Sequence, residues 1–317
     1  TTVGILALGL RERLRTGGAP LTLISCDNLS HNSGVLRVVL QQYLAHTFPE
    51  VIPWLESSAT FPCSMVDRIV PAVTESVRQR LAGQLGVRDE AAVATEPFSQ
   101  WIVEDNFAAG RPDWASAGVQ FVAEVAPFET IKLRLLNASH SAIAYCGLLA
   151  GLETVDAVMA QAGPRQFIEQ LMDRDLMPLL EVPADFDLSA YRDQLLQRFA
   201  NPCLQHRCAQ IAMDGSEKIA QRWLPALREA PVPLLRVALS AWLYFVLCSR
   251  YPIEDPHVQR LQALRESSAP MRERLISTLA CARISADEVG EFEQLLSELE
   301  KNMNTMADIG LQGLLDA

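Results

Sequence analysis

The chain has 317 residues, close to half of them apolar, and a formal net charge of −11 at pH 7. That length and apolar content are ample for one large core or two moderate ones. The acidic balance, with no basic cluster to offset it, argues against a nucleic-acid or anionic-membrane surface, since both need a basic face.

Thr1 opens an apolar, helix-like pattern with no initiator methionine, signal peptide or basic n-region, so the chain reads as the interior of something longer. A helix is expected through about Gly17. After Gly18, Ala19 and Pro20, residues 21–25 form an apolar run of strand length that ends in Cys26, Asp27 and Asn28. A strand with a polar carboxyl end is the α/β arrangement in which functional side chains sit. Asp-Asn is equally a good turn or helix cap. Residues 34–48 and 51–55 read as helices, and 61–70 as a strand-like run interrupted by Asp67, which with Arg68 could be a simple local charge pair. A helical pattern with a charged outer face covers 72–87. Short β-like runs at 101–103 and 119–122 then alternate with turn residues.

From about residue 129 the dominant period is helical, with breaks at 151, 163–164, 183, 201–202, 231–233 and 252–256. Residues 237–248 are nearly uncharged but too short to cross about 30 Å of hydrocarbon, so they read as a buried helix and no membrane span is expected. Residues 285–315 predict an amphipathic, acidic surface helix. No heptad or conspicuous apolar surface stripe demands association, so a monomer is expected. Seven cysteines, odd in number and scattered, point to reduced thiols in a cytoplasm. Cys203, His206 and Cys208 are close in sequence, but they are expected on one helical segment without a second ligand pair, so no metal site is expected.

Polar, reactive side chains concentrate where the helical part begins, in Lys132-Leu133-Arg134-Leu135-Leu136-Asn137-Ala138-Ser139-His140-Ser141. On an α-helix, at about 100° per residue, Lys132, His140 and Asn137 fall at about 0°, 80° and 140°, within one half of the surroundings. Leu133, Leu135, Leu136, Ile143, Ala144, Leu148 and Leu149 cover much of the rest, so the helix is mostly buried. A lysine near its start is then partly desolvated, which lowers an amine pKa toward neutrality and makes it usable as a base. Glu129, one turn earlier, is placed to relay a proton, or is a favourable acidic residue in a first helical turn. Spacing alone leaves another reading open. In it the lysine of a core helix snorkels to solvent, Asn137 and Ser139 serve neighbouring backbone, and His140 is an ordinary core histidine.

The K-x-x-x-x-N-x-x-H pattern of Lys132, Asn137 and His140 resembles the signature of the mannitol dehydrogenase family, the metal-independent long-chain polyol and uronate dehydrogenases. Further blocks resemble the family in the same order: Ser25-Cys26-Asp27-Asn28-Leu29 followed by Asn32 and Gly34; Met65-Val66-Asp67-Arg68-Ile69; and Trp101-Ile102-Val103-Glu104-Asp105 running on to Gly110-Arg111-Pro112. A last block, Arg198-Phe199-Ala200-Asn201-Pro202 with Asp214-Gly215-Ser216-Glu217-Lys218, carries the likeness into the second half. The resemblance implies an α/β plus α protein: part of a Rossmann-like dinucleotide-binding domain over residues 1–128, then a mainly α-helical substrate domain over 129–317. It implies NAD as cofactor and hydride transfer to or from a sugar alcohol or sugar acid. Lys132 is then the general acid and base, Asn28 and Asn137 donate to the substrate oxygen, and His140 orients the substrate. Val66 and Asp67 lie beside the nicotinamide. The glycine-rich turn that family members carry has no counterpart here, since no G-x-G occurs in the chain.

Substrate choice turns on residues 204–218. Where mannitol-oxidising relatives have an arginine this chain has Gln210, and His206-Arg207 with Gln210-Ile-Ala-Met-Asp-Gly-Ser resembles the fructuronate reductase (mannonate oxidoreductase) branch. A uronate carboxylate calls for arginine or lysine, with Arg207, Lys218 and Arg222 as candidates. D-mannonate/D-fructuronate is therefore favoured, with mannitol, arabinitol or tagaturonate as alternatives in the same class. Two readings of other kinds remain: a lyase using Lys132 as a Schiff base, and a non-catalytic fragment or interaction module.

Overall fold

The computed structural model describes residues 1–316, which pack as two units: Thr1–Ile69 with Pro97–Thr130, and Val70–Glu96 with the described residues from Ile131 onward. In the first unit, α1 (Thr2–Arg15) is capped by the Thr1 hydroxyl, which accepts from the Gly4 N–H at 3.2 Å. Its Ala7 and Leu10 join Leu40 and Leu44 of α2 (Asn32–Thr47) and Trp54 and Leu55 of α3 (Ile52–Ser58) in one core. Between α1 and α2 runs β1 (Leu21–Thr22), paired in parallel with β2 (Ala59–Thr60). The strand expected over 21–25 is this short because β2 offers only two residues to pair with. Leu23 still donates its N–H to the Thr60 carbonyl at 2.9 Å.

A separate sheet holds β3 (Ser64–Asp67), antiparallel to β4 (Gln100–Glu104), which runs parallel to β5 (Gln120–Val122). Cys63, Met65, Ile102 and Val125 form its buried side. One expectation fails in this unit. Ile5 and Leu8 of α1 and Val35, Val38, Val39 and Tyr43 of α2 are exposed, an apolar surface that the sequence reading did not anticipate. Both helices are apolar on more than one face, and the core takes only one.

The second unit begins with an excursion from Val70 to Glu96 that contains α4 (Glu75–Leu85). Chain order gives no hint that this segment packs with the helices, and two contacts hold it there. The Arg198 guanidinium straddles the Glu96 carboxylate with N–O distances of 2.8 to 3.2 Å, and the Ala72 N–H donates to Gln210 Oε1 at 3.2 Å.

The division into units falls inside α5 (Ala126–Lys132). A π-helical turn (Leu133–Asn137) and α6 (Ala138–Leu149) follow. Next come α7 (Val155–Met159), α8 (Ala162–Gln170), α9 (Leu188–Phe199), α10 (Cys208–Ala212), α11 (Gly215–Arg222) and α12 (Leu224–Glu229). The chain ends with α13 (Pro233–Leu247), α14 (Val258–Glu266), α15 (Met271–Cys281) and α16 (Phe292–Asp316). Helix α13 is buried and, beyond Arg236, uncharged and largely apolar, as its sequence predicts, with Leu239, Trp242 and Leu243 at the centre.

The last helix starts at Phe292, after a turn, and is amphipathic as its sequence predicts: Leu295, Leu299, Met303 and Met306 are buried, while Glu293, Lys301 and Asp308 are exposed. Gly147 sets the approach of α6 to α7 and α10: a Cβ there would lie 2.5 Å from Val158 Cγ2 and 2.8 Å from Cys208 Sγ. Among the described residues no helix is long and apolar enough to cross a membrane.

Candidate active site

Lys132, Asn137 and His140 do not lie on one continuous α-helix. The Ala138 N–H reaches back five residues to the Leu133 carbonyl, the bond that defines a π-turn. One extra residue in the turn rotates everything after it back by about 100°. Asn137 and His140 therefore move from the offsets expected of an α-helix onto the same stripe as Lys132. All three are buried, at 8 %, 8 % and 7 % exposure.

The surroundings of His140 are basic. Its ring packs on Phe199, with centroids 4.6 Å apart, and meets His206 edge-on at 5.5 Å. Burial holds His140 well below the ordinary imidazole range, and the neighbouring basic groups His206, Arg222, Arg198 and Lys132 push the same way. It is thus neutral, and its buried Nε2 has no hydrogen-bond partner among the described residues. His206 is pushed down to about 4 by burial and then by Lys218, and its Nδ1 is likewise buried and unpartnered. Burial, then Arg222, lowers Lys218 against the opposing pull of Asp214 and Asp255, while its Nζ donates to the Ile211 carbonyl at 3.2 Å. Arg222 is pushed down to about 10 by burial.

Local backbone explains why α11 presents Lys218 and Arg222. Asp214 adopts a left-handed conformation (φ 53°) ahead of the helix. Gly215 fits beneath the Tyr145 hydroxyl and the Trp242 indole, where a side chain would collide. Ser216 then donates its N–H and its hydroxyl to the two carboxylate oxygens of Asp255, at 2.8 and 2.7 Å.

Other expected residues lie apart from this cluster. Arg207 is exposed, on an isolated antiparallel bridge with Thr154, and Gln210 is engaged with the 70–96 excursion. Residues 203–207 are turn and loop rather than part of one helix, because α10 begins only at Cys208.

The first unit holds Asn28, Val66, Asp67 and Glu129. Asn28 is exposed beyond β1, whereas Asp67 on β3 is 2 % exposed. Both Glu129 carboxylate oxygens accept from the His31 N–H at 3.2 Å. Buried Asn32 joins the two loops. Its Nδ2 donates to the carbonyls of Asp27 (3.0 Å) and Ser64 (2.7 Å), and its Oδ1 accepts from the N–H groups of Ser33 (2.8 Å) and Ser64 (3.1 Å).

Sequence reasoning did not single out Trp223, the packing of His206 against His140 or the linking role of Asn32. One signal was available: the chain has three lysines, Lys132, Lys218 and Lys301, against a total of 27 basic residues, and two of the three line this site.

Residues 1–116 match the mannitol dehydrogenase Rossmann domain and residues 124–307 the mannitol dehydrogenase C-terminal domain. The chain belongs to the mannitol dehydrogenase family. Within the family, the D-mannonate oxidoreductase of Escherichia coli K12 is 46% identical over 228 residues, covering 72% of this chain and 47% of that protein. A mannitol 2-dehydrogenase of Aspergillus fumigatus is 35% identical over 328 residues, covering 99% of this chain and 65% of that one. The fold agrees with the Pseudomonas fluorescens mannitol 2-dehydrogenase, solved as a ternary complex with NAD and D-mannitol. Its TM-score is 0.83 at 29% identity, over all of this chain and 66% of that one. The chain thus spans between about half and two thirds of the length of these relatives.

Proposed function

We propose that the protein to which this chain belongs is an NAD-dependent oxidoreductase acting on a secondary alcohol of a sugar acid, with D-mannonate and D-fructuronate as the favoured pair. The observation that carries the substrate class is the basic field around His140. Lys132, Lys218 and Arg222 gather beside two neutral histidines, an environment that gains from an incoming carboxylate. Identity with the D-mannonate oxidoreductase supports the same choice.

In the reductive direction Lys132 donates a proton to the carbonyl oxygen as that oxygen gains charge, and in the oxidative direction it takes the proton back. The Asn137 amide donates to the same oxygen, a contact of the kind worth about 3 kcal/mol of barrier. Neutral His140 has a free Nε2 to hydrogen-bond a neighbouring hydroxyl and fix which carbon reacts. Asn28 belongs to the proposal as second amide donor by resemblance alone, as do Arg207 and Gln210 at the far end of the substrate, and Glu129 belongs to it as proton relay by its sequence position one turn before Lys132.

The first unit fits the nicotinamide end of NAD. Its parallel β1–β2 pair is of the dinucleotide-binding kind, and Asn32 fixes the polar loop after β1 against β3, where Val66 and Asp67 would hold the ring. When bound, the nicotinamide would supply hydride as NADH in reduction and accept it as NAD in oxidation. All seven cysteines are free thiols, which supports a reducing compartment such as the cytoplasm.

The test is NADH oxidation by the protein with its natural upstream sequence, against fructuronate, tagaturonate and fructose at equal concentration. Fructuronate should turn over fastest. A preference for fructose would remove the acid-substrate reading and leave a polyol enzyme, and no reaction with any of them would favour the non-catalytic alternative.

A further inference from the structure

A π-turn is costly. It survives in a helix where groups outside the helix hold it, and such turns concentrate at functional sites. Here two consecutive residues at the end of α11 grip the seam at which the π-turn returns to α geometry. Arg222 Nη1 donates to the Asn137 carbonyl at 3.1 Å and to Ser141 Oγ at 2.9 Å. Trp223 is fully buried and donates its indole N–H to the next carbonyl, that of Ala138, at 3.1 Å.

The middle of the turn is tied as well. Arg134 donates to the Leu179 carbonyl at 2.9 Å and forms a two-point ion pair with Glu229 at the end of α12. A single stretch, Arg222 to Glu229, therefore anchors the distortion at two points in the chain.

We infer that Arg222 and Trp223 are positioning residues, which clamp the π-turn so that the Asn137 amide and the Lys132 amine address one substrate oxygen. This rests on the hydride-transfer reading above. On an undistorted α-helix the two side chains would diverge by about 140°, so the clamp rather than the spacing aligns them. The choice of arginine follows from geometry. Its planar group reaches a carbonyl and a hydroxyl from one nitrogen and stays charged even though burial pushes it down to about 10. The indole adds a donor with no acceptor function, which suits a carbonyl at a helix surface.

Two variants test the clamp in the protein with its upstream sequence. Trp223→Phe removes the N–H while keeping most of the ring volume, and Arg222→Lys keeps the charge but loses the planar group. Amide hydrogen exchange over Leu133 to Ala142, measured without substrate, should quicken by about tenfold in each variant, with α13 and α16 unchanged. In NADH oxidation kcat should fall by about 100-fold while KM stays within about threefold, the pattern of misplaced reacting groups. Added guanidinium should recover part of kcat in Arg222→Ala.

Unchanged exchange in both variants would overturn the clamp. Faster local exchange with normal kcat would overturn its positioning role. If the unsubstituted protein reduces none of the substrates, the proposed reaction fails, and the exchange result still decides whether the clamp exists.

Discussion

The two units hold their candidate residues in different ways. In the first, Asn28 and the Val66–Asp67 pair stand on loops and a strand end, and one buried amide, Asn32, ties those pieces together through four neutral hydrogen bonds. In the second, Lys132, Asn137 and His140 sit inside a helix that is buried nearly all round, and charged groups fix them from neighbouring helices. An amide cradle fixes backbone while leaving Asn28 exposed, which suits a cofactor that comes and goes. A buried, cation-rich clamp aligns a few donors in a medium of low polarity, where each is worth more to a developing charge.

Replacing Glu96 by Gln should sharpen the contrast most. Glu96 is 1 % exposed and Arg198 6 %, so the change leaves a buried guanidinium without its charge partner, at a cost of about 3–5 kcal/mol. Urea unfolding followed by the fluorescence of Trp223 and Trp242 would report it, and a loss under about 1 kcal/mol would mean the second unit does not depend on buried charge.

Asn32→Ala tests the first unit. It strands the buried N–H and carbonyl of Ser64 and should cost about 2–3 kcal/mol, together with weaker NADH binding. A smaller effect than the Glu96 change is expected, because no charge is left unpaired.

The smallest effect concerns acid. His206 titrates near 4 when folded and near 6.5 when unfolded, so on acidification the unfolded chain takes up its proton first. Stability therefore falls as pH drops from about 6.5 to about 4, and this contribution is constant below that. Allowing for the partial exposure of the ring, the loss amounts to roughly 2 kcal/mol. His206→Gln should flatten that slope relative to the unsubstituted protein in urea unfolding between pH 7 and 4; equal slopes would mean that His206 is not held neutral.

The legible parts of this molecule were those written in local pattern: the polar break after residues 21–25, the uncharged run of α13 and the burial of Lys132, Asn137 and His140 among apolar neighbours. The π-turn was not legible, because Leu133, Leu135 and Leu136 satisfy an α or a π period equally well and one added residue leaves no compositional mark. The contacts of Arg222, Trp223 and His206 were hidden for another reason. Their partners on α6 and around His140 lie 66 to 85 residues away in sequence, and only packing brings them together. The 70–96 excursion shows the same limit: its helix was expected, but the core it joins depends on Glu96 meeting Arg198, 102 residues later.

The central claim is that Lys132 moves the proton, and it is tested most directly by NADH oxidation with fructuronate in Lys132→Ala, alongside NADH binding by fluorescence. The account predicts that kcat falls by about a thousandfold, within the range that general acid–base groups contribute, while NADH binds as before. Activity within about tenfold of the unsubstituted protein, with cofactor bound normally, would contradict it.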